Sequence, residues 1–259
     1  MSLFRPIFLI AGNTVTGILR GVVLNVLLVM AALLIVASMS TSAFEPAQVR
    51  RMLIDSGLAG ITIMGAVIAI LTGFTMIPNE VDNRTVYPVL SKPVQRWQFV
   101  LGKFCGAVGI NAITVGLLSV LFFLLFWLKI KLFDTRLVMA VVMIFAMTVV
   151  LSALIIFFST FMSWIGTIIV SMVVWFVGSY SQFLWDLSSS HAQGISNVPF
   201  LLVQKLLPNF QAMDLRYAIV TENVLKFDAH QVLLPLGNSA LYMVVALALA
   251  TLIFNYREL

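Results

Sequence analysis

Charged residues are scarce in this chain. They make up 10% of its 259 residues, whereas a soluble domain uses roughly 25% to build its water-facing surface. Because 61% of the residues are hydrophobic, the composition excludes an ordinary soluble enzyme and indicates that lipid is the main solvent. The net charge of +5 is not gathered into a basic, aromatic-rich polar stretch. We therefore expect contact with anionic lipid headgroups and none with nucleic acid.

The residue types that build catalytic and metal sites are also few. A single cysteine, Cys105, excludes an intramolecular disulfide and any site made of several thiolates. His191 and His230 are isolated in the sequence, so neither belongs to a metal-ligand pattern. Gly102-Lys103 lacks both the upstream glycine and the following Ser or Thr of a P-loop. We therefore expect that the chain is not an enzyme, and we expect no cofactor in it.

Asp, Glu, Lys, Arg and His are missing from the predicted membrane interior. Proton-coupled carriers commonly need a relay of such groups at that depth. This class of carrier is therefore disfavoured, whereas a sodium site made of carbonyl and hydroxyl oxygens stays open. We expect the polar groups inside the membrane to make helix-to-helix hydrogen bonds more often than to bind substrate. They are Asn25, Asn111, Thr114, Ser119, Thr148, Ser152 and Ser171.

Long uncharged runs predict the transmembrane helices. Residues 21–44, 56–79 and 104–128 carry no charge, and at about 1.5 Å per residue each run exceeds a hydrocarbon core of roughly 30 Å. The uncharged run 137–185 is long enough for two helices and a turn, and 229–256 supplies the last one. The sequence thus predicts an all-α membrane protein with both termini on one side. Its six spans lie near residues 21–42, 57–77, 105–128, 138–159, 164–184 and 239–255. The basic residues divide almost equally between the two sides, so the charge bias leaves the orientation open.

The remaining segments complete a single transmembrane domain over residues 1–259. Residues 1–20 have an apolar side and a polar side and predict an N-terminal interfacial helix. Residues 186–238 contain short apolar stretches with helical spacing and predict a small helical cap on the extracytoplasmic face. Residues 78–103 form the most polar connection close to the membrane.

Two packing patterns stand out within the spans. Small residues recur at four-residue spacing, which lets helix backbones approach closely in lipid; they are Gly65, Ala69 and Gly73, and Gly102 and Gly106. Methionines recur at the same spacing at Met139, Met143 and Met147. Thioether sulfur can bind copper(I), but it also suits flexible apolar packing, and the absence of a nearby Cys or His favours packing.

The polar connection also carries a sequence motif. Its pieces are Glu80, Arg84-Thr85, Leu90-Ser91-Lys92-Pro93-Val94, Arg96-Trp97 and Leu101-Gly102-Lys103. In this order they resemble the cytosolic signature of permease subunits of exporter-type (type-2) ABC transporters. Three further features agree with that resemblance, namely the lead-in around Asn13-Thr14, the Leu207-Pro208-Asn209-Phe210 segment before the last span, and the short charged end at Tyr256-Arg257-Glu258.

The resemblance implies a non-catalytic transport subunit. Residues 78–103 would then be a cytosolic coupling loop whose short helix inserts into a separate ATPase subunit. The implied interface residues are Glu80, Asp82, Arg84, Thr85, Leu90, Ser91, Lys92, Pro93 and Arg96. The implied complex contains two ATPase subunits, which hold the ATP and Mg, and two permeases, as a homodimer or heterodimer. It would lie in a bacterial inner (plasma) membrane with both termini cytoplasmic.

Other functions fit the same residues. The loop can instead hold phospholipid headgroups through Arg84, Lys92, Arg96 and Lys103. The chain can act alone, as a secondary carrier or a channel. A third interpretation is a membrane-embedded enzyme or a scaffold that transmits force to an extracytoplasmic partner, although the enzyme lacks a plausible acid, base or nucleophile. The transported substrate does not follow from the sequence.

Overall fold

A computed structural model describes residues 5–37, 46–74, 95–131, 134–181, 207–220 and 229–256. Within these ranges the chain is helical and contains no strand, so the all-α membrane class is confirmed. The helices are α1 (Arg5–Leu19), α2 (Val22–Ala37), α3 (Pro46–Gly73), α4 (Arg96–Ile130), α5 (Thr135–Ser159), α6 (Trp164–Ser179), α7 (Arg216–Val220) and α8 (Ala229–Tyr256), with a 3-10 turn at Gln211–Met213.

Four of these helices are long and apolar enough to cross a membrane, namely α3, α4, α5 and α8. The pair α1–α2 meets the same test only as one span bent by 63°. Helix α6 is apolar but has 16 residues, which at about 1.5 Å each give roughly 24 Å. The expected number of six spans is therefore not confirmed, although all six predicted segments contain helix.

Two helices begin before the spans predicted for them. Helix α4 has 35 residues, or about 52 Å, so it exceeds a hydrocarbon core of roughly 30 Å. Its first turns are residues 96–103, which we had expected in the polar loop. Helix α8 begins at Ala229 and continues through Pro235, although we expected residues 229–238 in the extracytoplasmic segment. Charged and polar residues continue α4 past its apolar region, whereas α8 fills the uncharged run 229–256. Membrane helices tolerate an internal proline such as Pro235.

Contacts at glycines fix the helix directions. A Cβ at Gly65 of α3 would lie 3.2 Å from Thr148 Cγ2 of α5, and one at Gly73 would lie 2.6 Å from Ile155 Cγ2. The two helices therefore run parallel, while α4 between them runs antiparallel. The bundle has two ends. We call the end where α3 stops and α4 starts the loop end, and the opposite one the far end.

The small residues of α3 form a packing surface, as predicted. A side chain at Gly73 would collide with α5, one at Gly65 would be a tight fit there, and Ala69 between them is fully buried. The methionine stripe packs as well: Met143 and Met147 are buried in the main apolar core, and Met139 is partly buried against it. The structure thus supports the packing interpretation of both patterns.

Ion pairs hold the far end. Asp134 caps α5 by accepting a hydrogen bond from the Arg136 backbone N–H, and its carboxylate pairs with Arg136 at 2.9 Å and with Arg50 of α3 at 3.0 Å. Burial tends to raise the pKa of Asp134, but the hydrogen bonds and positive charge of the two arginines hold it below its usual value. Asp134 therefore stays ionised and links the start of α3 to the start of α5.

Candidate functional site

Most of the predicted coupling residues lie outside the described residues. These are Glu80, Asp82, Arg84, Thr85, Leu90, Ser91, Lys92 and Pro93, all within residues 75–94. The ninth, Arg96, is described, and so are the two points from which this segment departs: Phe74 after α3 and Gln95 before α4. The site is therefore built from its two points of attachment at the loop end.

The first attachment joins α3 to α5 and α6. Gly73, the last residue of α3, lies directly against Ile155 of α5. The ring of Phe74, one residue on, lies 6.2 Å from the ring of Trp164, the first residue of α6. The end of α3 therefore contacts α5 through Gly73 and the start of α6 through Phe74.

The second attachment joins α4 to the end of the last helix. Arg96 donates hydrogen bonds to the carbonyl oxygens of Phe254 at 3.1 Å and Asn255 at 2.9 Å. These carbonyls belong to the last turn of α8, where no intrahelical N–H is available and where the helix dipole favours a cation. The Arg96 guanidinium of α4 therefore caps the C-terminal end of α8, where Phe254 lies 158 residues later in the sequence.

Aromatic packing strengthens this second attachment. The rings of Phe99 and Phe254 are stacked at 5.6 Å with an interplanar angle of 14°, and both side chains are buried. One turn further along α4, Lys103 is only 6% exposed, with its Nζ 5.6 Å from the centre of the Phe99 ring. This cation–π contact is favourable where water is excluded. Lys103 thus belongs to a packed helix and not to an open loop.

Helix α1 also packs on this part of α4. A Cβ at Gly102 would lie 2.9 Å from Ile10 Cβ, and one at Gly106 would lie 2.8 Å from Thr14 Cβ. The predicted close approach at Gly102 and Gly106 is therefore present, with α1 as the partner. The sequence indicated a helix over residues 1–20 but not that it lies along α4.

A polar contact joins α4 and α5 inside the bundle. Asn111 Nδ2 donates to Ser152 Oγ at 2.8 Å and to the Thr148 carbonyl oxygen at 3.2 Å, which confirms the expected helix-to-helix hydrogen bond. Thr114 and Ser119 instead donate to carbonyl oxygens of their own helix. Asn111 Oδ1 is buried and accepts no hydrogen bond from the described part of the chain.

The described residues of the loop end therefore connect helices to one another. Two of its charged side chains, Arg96 and Lys103, contact a helix end and an aromatic ring. In the described ranges no three His, Cys, Asp or Glu side chains come together as metal ligands. The pairing of Arg96 with α8 could not be read from the sequence, because it joins residues far apart in the chain.

Several helices long and apolar enough to cross a membrane define a polytopic membrane protein. A family model for the ABC-2 family of transporter proteins matches residues 7–259. The chain therefore belongs to that family, and the resemblance carried by the loop motif is confirmed. Membership implies association with an ABC ATPase. A search of curated proteins found no match.

Proposed function

We propose that this chain is the membrane-spanning permease subunit of an ATP-driven exporter. A separate ATPase subunit binds the coupling loop within residues 78–103 and drives alternating access. The observation that carries the proposal is the pair of attachments at the loop end: one leads from Phe74 to α5 and α6, the other from Arg96 to α8. The family match over residues 7–259 supports it.

The two attachments suggest how a loop movement would change the bundle. ATP binding to the partner would favour one arrangement of the spans and hydrolysis would reset it, since a ligand shifts an equilibrium only by its different affinities for the two states. Pulling on the start of α4 would move α8 through Arg96 and the Phe99–Phe254 stack. Pulling on the end of α3 would move α6 through Phe74 and Trp164.

The proposed assembly contains two ATPase subunits, which bind ATP and Mg, and a homodimer or heterodimer of permeases. The complex lies in a bacterial inner membrane with both termini and the loop end in the cytoplasm. The chain itself performs no hydrolysis in this proposal, which is supported by the missing P-loop.

The test uses the tagged full-length chain, purified from membranes with the proteins that accompany it. We expect an ATPase to copurify and to hydrolyse ATP, and we expect Glu80→Ala to reduce the recovered ATPase per chain while the variant remains inserted and monodisperse. Arg51→Ala, at an exposed position of the far end of α3, is the matched control and should recover ATPase normally. Glu80 is the cleaner choice than Arg96, because Arg96 also holds α8.

Two results would contradict the proposal. One is full ATPase recovery with Glu80→Ala and with a second variant, Pro93→Ala, which would show that the loop is not the interface. The other is substrate flux through liposomes containing this chain alone without ATP, which is the behaviour of a self-sufficient carrier or channel.

A further inference from the structure

Helix α6 places polar and small residues among those that face the bundle. Its buried residues are Thr167, Ser171, Val174 and Gly178, and its Ile168, Val170 and Trp175 are partly buried against the core. The other large apolar side chains are about half exposed; they are Ile165, Ile169, Met172, Val173 and Phe176. Small and polar residues do occur at packing surfaces between membrane helices, so this distribution alone does not separate a dry contact from a polar path.

The hydrogen bonds make that distinction. Most other buried hydroxyls in the described helices donate to a carbonyl oxygen of the preceding turn, as Thr62, Ser119 and Ser159 do. Ser181 and Ser239 donate to side chains of another segment. Within the described ranges, four buried side-chain polar atoms have no hydrogen-bond partner, and three of them lie on α6: Ser171 Oγ, Trp175 Nε1 and Ser179 Oγ. These three residues are four apart in sequence, so they lie on one side of the helix.

Unpaired polar groups are costly in a bilayer, because no water is available to satisfy them. Ser171 is 1% exposed, and it could have donated to its own helix as Thr167 does to the Ser163 carbonyl oxygen. Three unsatisfied atoms along one side therefore indicate a surface whose partners are present in another arrangement of the bundle.

We propose that Ser171, Trp175 and Ser179 form a hydrogen-bonding path that opens when α6 separates from the bundle. Its ligand carries acceptor oxygens, because Trp Nε1 can only donate whereas serine hydroxyls donate and accept. Water and the hydroxyl groups of a polar solute both supply such oxygens. The path lies inside one subunit.

Contacts at both ends of α6 place it where such a movement can be driven. At the loop end, Trp164 contacts Phe74, next to the coupling loop. At the far end, Gly178 lies against Phe210, since a Cβ there would be 2.6 Å from the ring and 2.8 Å from the Pro208 carbonyl oxygen. Helix α6 thus connects the loop end to the segment before α8.

Cysteine labelling tests the path. Ser171→Cys and Ser179→Cys are made in a Cys105→Ser background, because Cys105 is exposed, and treated with a membrane-impermeant methanethiosulfonate in proteoliposomes. The reactive species is the thiolate, which forms in water and not in apolar surroundings. Ser119→Cys is the matched control, since Ser119 is also buried but donates to the Val115 carbonyl oxygen. Val173→Cys controls for the outer side of α6.

We expect Ser171→Cys and Ser179→Cys to react about tenfold faster than both controls, the factor that corresponds to one pKa unit in thiolate content. Equal rates at Ser171→Cys and Ser119→Cys would overturn the proposal. The unmodified chain gives a second measurement that needs no substitution, namely hydroxyl-radical oxidation. Trp175 should oxidise, and its complete protection under conditions that oxidise the partly exposed Trp97 would also overturn the proposal.

Glycerol as a probe separates the two sources of oxygen. If glycerol slows the labelling of Ser171→Cys and Trp175→Phe removes that effect, the path binds solute hydroxyl groups. If fast labelling is unaffected by glycerol, water alone fills the path. These measurements use the chain without an ATPase, so a failure to copurify an ATPase would contradict the proposed function while leaving this result intact.

Discussion

Replacing Arg96 tests whether α4 holds the end of α8. The Arg96→Ala variant loses two hydrogen bonds from a charged donor to the carbonyl oxygens of Phe254 and Asn255. A buried hydrogen bond from a charged donor contributes about 1.5–3 kcal/mol to stability. The bond to the Asn255 carbonyl oxygen is exposed, so water replaces much of it in the variant. We therefore expect the two bonds together to stabilise the end of α8 by about 2 kcal/mol.

That loss should appear locally and not as global unfolding. The last turns of α8 would open about 30 times more often, because each 1.4 kcal/mol is a factor of ten. Hydrogen–deuterium exchange of residues 250–256 measures this opening directly. Arg96→Lys keeps the positive charge near the helix dipole but loses the two-pronged donor, so its exchange rate should lie between those of the native chain and Arg96→Ala.

Arg51→Ala at the far end is the control and should leave this exchange unchanged. If Arg96→Ala exchanges like the native chain over residues 250–256, the two hydrogen bonds do not hold α8, and the second attachment of the coupling loop is refuted. If exchange increases equally in α3 and α5, the effect is global and the local reasoning is wrong.

Three further changes probe other contacts. Gly102→Val should lower the stability of the chain in detergent by about 1–3 kcal/mol, since even a Cβ would lie 2.9 Å from Ile10 Cβ; an unchanged thermal midpoint would show that α1 is not packed there. Asn111→Ala should lower the free energy of unfolding by about 0.6–1.7 kcal/mol, because the hydrogen bond to Ser152 is lost; denaturation in detergent measures this change. The lowered pKa of Asp134 makes its ion pairs stabilising above the ordinary carboxyl pKa, with the contribution lost as pH falls through the lower folded value. Asp134→Asn should therefore weaken the acid dependence of the thermal midpoint, and an identical pH profile would contradict this.

The features that the sequence predicted correctly depend on local rules. Uncharged runs locate helices because few charges are tolerated in lipid, and all the predicted segments contain helix. Helix ends were predicted less well. Helix α4 starts at Arg96, nine residues before the predicted span, because charged residues can continue a helix beyond its membrane part. Helix α8 starts at Ala229 and not near Ser239, because it continues through Pro235.

The contacts of the candidate site could not be predicted, because they join distant parts of the chain. Gly102 and Gly106 indicated that something approaches α4 closely, but four-residue spacing does not identify the partner as α1. In the same way, the sequence shows Arg96 as a charged residue of the loop motif. The residues around it do not indicate that it donates hydrogen bonds to carbonyl oxygens of α8. The sequence identified Ser171 as a polar group inside the membrane. It could not show that the polar atoms of Ser171, Trp175 and Ser179 lack hydrogen-bond partners, because this depends on how the side chains pack.

The two attachments reach two groups of helices, which also pack on each other through α5 and α8. The end of α3 contacts α5 and α6, whereas the start of α4 contacts α1 and α8. If a rigid partner protein bound to the loop rotated, it would push one group of helices against the other. The movement would be stepwise, because packed interfaces shift between discrete arrangements and do not deform continuously. Asn111 and Ser152 lie between the two groups, since they join α4 to α5. A relative movement of the two groups would thus strain that hydrogen bond and, at α6, expose Ser171 and its neighbours to the partners they lack.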